Sequence, residues 1–172
     1  MDSAATLRGI LDEFIGKKCW RVAASPSTGS RVNLDIGPEM EVKVGVRKEV
    51  RRFGKYGIQI ESGAWRLSHD HRILASSADS PEKDGVLISG LSVLQGCVIS
   101  DIRIHHVVYD LEVHFEGGYV LSVLCNEANE EGGANYTISV GRTYYSVECR
   151  DRRIAVVLRP CDTKGNPPQV DF

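Results

Sequence analysis

Apolar residues recur at Leu7, Ile10, Leu11 and Phe14, the spacing that lines one face of a helix. Asp2 and Ser3 stand where an N-terminal cap belongs. Gly16 stands where the stripe stops, and glycine suits a helix end because it enters the left-handed backbone region without a Cβ penalty. The pattern returns 80 residues later, with Asp79 or Ser80 as cap, Pro81 in a first turn, and Leu87, Leu91 and Leu94 before Gly96. With Gly16 laid on Gly96, Leu7 meets Leu87, Leu11 meets Leu91 and Phe14 meets Leu94.

Each glycine leads into extended chain. Cys19 to Ala23 and a turn at Ser25-Pro26-Ser27-Thr28-Gly29 come first; then Val32, Leu34 and Ile36 alternate with polar residues, as in a strand with one wet face. After Gly96, Val98 to Val108 reads as strand, and Leu111, Val113 and Phe115 alternate in the same way. Trp65-Arg66-Leu67 before Arg72-Ile73-Leu74 parallels Tyr136-Thr137-Ile138 before Arg142-Thr143-Tyr144. Further strands are expected at Val42-Val44-Val46, at Ile58-Ile60, after the Gly117-Gly118 turn, and from Ile154 to Leu158 before Pro160. Glu127 to Gly133 reads as a polar loop. The expectation is one α+β domain over residues 1–160, two helices with mostly antiparallel sheet. It carries an internal duplication of a helix–glycine–β-hairpin unit, with halves at 1–80 and 81–160. Residues 161–172, rich in glycine and proline, are expected to form a mobile tail.

With 172 residues, 42% hydrophobic and 26% charged, the chain has the make-up of a globular domain and not of a disordered or fibrous protein. Lys and Arg number 21 against 23 Asp and Glu, a net charge of −2. That balance excludes a strongly basic nucleic-acid binder as a description of the whole chain. The first apolar segment holds Asp12 and Glu13, and every apolar run is too short to span a bilayer, so a cytoplasmic chain is expected. The 5 cysteines (Cys19, Cys97, Cys125, Cys149 and Cys161) lack metal-finger or redox spacing and read as reduced core residues.

Three groups of residues are candidates for chemistry. His69-Asp70-His71 would place two imidazoles on one face of a strand, as a metal site or hydrolase would use with His114, but the segment falls where a hairpin turn is expected. No cofactor and no bound metal is therefore expected. The strand from Tyr109 to Glu116 puts Asp110, Glu112, His114 and Glu116 on the face opposite Leu111, Val113 and Phe115. Such a row serves acid–base chemistry only inside an apolar pocket, and any strand with one wet face shows it. Lys43, Arg47, Lys48, Arg51, Arg52 and Lys55 form a basic segment interleaved with Phe53 and Tyr56, suited to phosphates and bases. Glu41 and Glu49 dilute it. Nucleophile-elbow and phosphate-loop patterns are missing, which lowers the expectation of an enzyme.

Trp65-Arg66-Leu67, the segment Ile73 to Glu82, then Leu91, Leu94, Gly96 and Asp110-Leu111-Glu112-Val113-His114-Phe115-Glu116-Gly117-Gly118 carry a resemblance. Over about a third of its length, on turn glycines and core apolar positions, the chain resembles small bacterial proteins similar to the immunity components of polymorphic toxin systems. That resemblance implies a non-catalytic role and supplies no site residues. The expected function is a soluble binding domain, an immunity-type inhibitor that meets a toxin through an acidic surface. Asp110, Glu112, Glu116, Glu127, Glu130 and Glu131 would face the basic cleft of a protein partner. The alternative is nucleic-acid binding through Arg47, Lys48, Arg51, Arg52 and Lys55. A homodimer is compatible with either.

Overall fold

The computed structural model describes residues 3–44, 49–125, 134–150 and 153–160. Helix α1 (Ser3–Asp12) buries Leu7 and Leu11, and Phe14 follows them into the core from a tighter turn. Helix α2 (Val86–Ser92) does the same with Leu87, Leu91 and Leu94. Both helices tighten as they end: the N–H groups of Phe14 and Lys17 bond the carbonyls of Leu11 and Phe14, and those of Leu94 and Cys97 bond Leu91 and Leu94. Gly16 and Gly96 then take left-handed backbone, with φ of 76° and 96°.

The chain leaves each glycine beside the other. Lys18 and Val98 form an antiparallel bridge. Around it, Gly16 N–H donates to the Ile99 carbonyl and Ile99 N–H to that of Lys17, at 2.8 and 2.9 Å. Gly96 N–H donates to the Cys19 carbonyl and Cys19 N–H to that of Cys97, at 2.6 and 2.8 Å. Each of these bonds thus has its counterpart 80 residues along the chain.

Strands β1 (Cys19–Ala23), β2 (Val32–Val44) and β3 (Glu49–Ile60) pair in sequence, all antiparallel. Two hairpins follow at a distance: β4 (Ala64–His69) with β5 (Arg72–Ser76), and later β9 (Ala134–Val140) with β10 (Thr143–Arg150). Between them β6 (Ile99–Ile104), β7 (Leu111–Phe115) and β8 (Tyr119–Leu124) also pair in sequence. The last strand is β11 (Arg153–Pro160). One sheet runs β1-β2-β3-β9-β10-β11 and the other β6-β7-β8-β4-β5. The three leading strands of each half are thus completed by the hairpin of the other half. The ladders β1–β2 and β6–β7 even share a bulge one residue in, at Cys19/Arg21 and at Ile99/Asp101.

The inward faces, among them Val32, Leu34, Ile36, Ile58 and Ile60 of one sheet and Leu111, Val113, Phe115, Leu121 and Val123 of the other, join both helices in a single apolar core. α1 packs on β6 and α2 on β5. No helix among the described residues is long and apolar enough to cross a membrane.

Some boundaries move from the sequence reading. The second helix starts at Val86 and not near Pro81, because the Asp79 carboxylate accepts bonds from the N–H and O–H of Ser76 and holds a turn there. The chain from Val98 to Val108 is strand only to Ile104; His105 N–H bonds the Asp110 carbonyl and closes a loop. The Val42 and Ile58 stretches belong to one long hairpin, β2–β3, with a bulge between Ile36 and Glu39. The expected loop from 127 to 133 and the tail from 161 to 172 lie outside the described residues.

Candidate functional site

The outward face of the six-stranded sheet holds a groove of about 180 Å³. Its base is two cross-strand rows fixed by the register. Arg21, Asp35, Gly57, Ser139 and Tyr144 lie side by side on β1, β2, β3, β9 and β10. Ala23, Asn33, Gln59, Thr137 and Ser146 form the next row. Met40, Val42 and Phe53, from the outer part of the β2–β3 hairpin, supply an apolar wall, and Gly141 and Arg142 close the far end. Gly57 leaves the middle of the first row without a side chain; a Cβ there would stand 2.5 Å from Ser139 Oγ.

Asp35 anchors one end. Its side chain is nearly buried, Oδ2 accepts a 2.7 Å bond from Arg21 Nε, and Oδ1 accepts a 2.8 Å bond from Gly54 N–H. Gly54 has no alternative residue at this close approach, since a Cβ would meet Ile36 N at 2.4 Å. The Arg21 guanidinium lies 5.1 Å from the Trp20 ring centroid and 5.7 Å from that of Phe53, within cation–π reach of both. At the buried margin Thr137 Oγ1 donates to Glu61 Oε1 at 2.9 Å, which leaves Ser146 Oγ to donate to Thr137 at 2.9 Å.

Four polar side chains of the groove make no bonds of this kind. Among the described residues, the side chains of Asn33, Gln59, Ser139 and Arg142 have no hydrogen-bond or ion-pair partner. One cation, two amides and a hydroxyl therefore lie beside an apolar wall with donors and acceptors open to solvent.

The sequence candidates are scattered by comparison. Glu112 and Glu116 are exposed. Glu112 Oε2 comes within 3.4 Å of His114 Nε2, but without hydrogen-bond geometry, and that nitrogen is buried with no partner. Asp110 precedes β7 and is half-buried, with Oδ1 accepting the Cys125 N–H at 2.8 Å. A second hollow, on the five-stranded sheet, brings Asp110 and Glu112 beside Arg66 and Arg103, so the acidic row there is mixed with cations. Arg103 Nε also lies 2.7 Å from Asp101 Oδ2 and holds that carboxyl below its ordinary pKa. Glu127, Glu130 and Glu131 lie outside the described residues.

In the basic segment, Arg47 and Lys48 are likewise outside the described residues. Arg51 lies 3.7 Å from Glu49, and Arg52 lies 3.6 Å from both Glu39 and Glu41. Lys55 sits over the Tyr56 ring at 5.2 Å. Asp70 and His71 have φ of 46° and 61° and form the turn of the β4–β5 hairpin, while His69 Nε2 is 3.0 Å from the Gly117 carbonyl. Among the described residues no three His, Cys, Asp or Glu side chains are grouped to hold a metal ion.

Sequence reasoning missed the groove. Arg21, Asn33, Gln59, Ser139 and Arg142 come from both halves of the chain, and each reads locally as an ordinary outward strand or turn residue. The available signal was Gly54 and Gly57 inside a strand pattern, since glycine there marks a close approach or an opening. Comparison with protein-family models, with curated proteins and with solved structures finds no match to this chain.

Proposed function

We propose that the chain is a non-catalytic binding domain and that the groove on the six-stranded sheet is its recognition site. The observation that carries this reading is the set of four partnerless side chains, Asn33, Gln59, Ser139 and Arg142, around one apolar-walled cavity. Polar groups placed this way orient a ligand while the apolar wall supplies affinity. The acidic-face reading, an inhibitor of a toxin, keeps Glu112 and Glu116 as its exposed groups, and the cationic neighbours of Glu112, Arg66 and Arg103, weaken it. Binding of nucleic acid through the β2–β3 hairpin is weaker again, because Glu39, Glu41 and Glu49 sit among its arginines.

Duplication belongs to the same proposal: two copies of a helix–five-strand unit that exchange their hairpins. Its support is the paired bonds around Lys18 and Val98, the matching bulges, and the common strand order.

The test is capture from a lysate of the source organism on immobilised protein in three forms: wild type, Phe53→Ala with Arg142→Glu, and Glu112→Lys with Glu116→Lys. Circular dichroism confirms that all three are folded. The expected result is a component retained by wild type and by the acidic-face variant and lost by the groove variant. The reverse moves the function to the acidic face. Equal retention by all three refutes both assignments.

A further inference from the structure

We propose that the groove takes a small aromatic acid: one planar ring bearing one carboxylate. This rests on the groove being the recognition site and names its ligand class. Size sets the first limit. At about 180 Å³ the groove is close in volume to a cavity that accepts benzene, a size that suits a single ring with its substituents. Shape sets the second. Phe53 and Met40 line the groove, and at Gly141 the backbone is open, since a Cβ there would meet nothing within 4 Å. Aromatic and thioether side chains beside open backbone suit a flat apolar body.

Charge sets the third limit. The ionised groups that line the groove are Arg21, Arg142 and Asp35. Arg21 is neutralised by Asp35 at 2.7 Å, which leaves the single charge of Arg142. A guanidinium presents paired N–H donors that match the two oxygens of one carboxylate. Asn33, Gln59 and Ser139 remain for in-plane substituents such as a ring hydroxyl or amino group, which they meet as donor or acceptor. A ligand with two or more negative charges would leave at least one of them without a counter-charge, which disfavours phosphate esters.

The experiment is a titration of the isotopically labelled full chain, followed by amide NMR shifts, with benzoate as probe and benzamide as its neutral counterpart. Benzoate at millimolar concentration is expected to move the amide signals of Gly54, Gly57, Ser139, Gly141 and Arg142, and to bind about tenfold more tightly than benzamide. Arg142→Gln should remove that tenfold preference. Equal affinity for the two probes overturns the carboxylate assignment while the groove stands as a ring site. Absence of shifts at these residues with either probe overturns the ligand class. The groove as recognition site then falls or survives separately, on whether Phe53→Ala with Arg142→Glu loses the captured component.

Discussion

Cys19 lies wholly inside the protein, next to the bridge where the two helix–strand junctions meet, and Asp35 and Cys97 are its electrostatic neighbours. Burial, and then the negative charge of Asp35, push its thiol from 9.0 up to about 12. Cys125 is raised to about 12, chiefly by burial. The folded protein therefore holds these protons more tightly than the unfolded chain does. The resulting stabilisation is complete below pH 9 and is lost as pH rises from 9 towards 12. Cys19→Ala is expected to flatten the fall of unfolding free energy with pH across that window, measured by urea denaturation at a series of alkaline pH values. An unchanged slope would show that the buried thiolate is not what alkali must create. The same residue scale explains Asp110: its carboxylate is tied to the Cys125 backbone N–H, which needs a partner, and so does not stand in the polar row as a free charge.

At the scale of the element, both helices are short, 10 and 7 residues, and too short to persist in water by themselves. Their ends are consequently set by packing and by the glycines after them. A Cβ on Gly16 would meet nothing within 4 Å, and one on Gly96 would meet only Lys18 Cε at 3.8 Å. Alanine at either position therefore pays in backbone strain alone, about 1–2 kcal/mol. Gly16→Ala and Gly96→Ala are expected to lower stability by the same amount within that range, by chemical denaturation. A large loss at one and none at the other would break the equivalence of the two units. Legibility differed between elements. The stripes Leu7-Leu11-Phe14 and Leu87-Leu91-Leu94 are visible because helical spacing is local. The start of α2 was not, because an Asp79 turn and a proline near a cap look alike in sequence.

Across the whole molecule, the decisive feature is that neither half owns its sheet. β9–β10 completes the strands of the first half, and β4–β5 completes those of the second. A fragment of residues 1–80 would leave β3 with Ile58 and Ile60 at an open edge, facing a core built half from the other fragment. Residues 1–80 or 81–160, produced alone, are expected to lack the cooperative unfolding transition of a folded monomer. Mixed, they should form a one-to-one complex with the far-ultraviolet spectrum of the intact chain. Cooperative monomeric folding of either fragment would contradict the hairpin exchange.

The sequence by itself determined which faces are apolar, where the helices stop, and that two similar patterns lie 80 residues apart. These follow from periods of 3.6 and 2 and from backbone preferences of glycine, all properties of neighbouring residues. Tertiary structure alone decided that the hairpins change sheets, that Arg21 and Arg142 share one groove, and that the Asp110 carboxylate bonds the Cys125 N–H. Strand order and register depend on which distant apolar faces close on one core, and a single strand's alternation is satisfied equally well beside several partners.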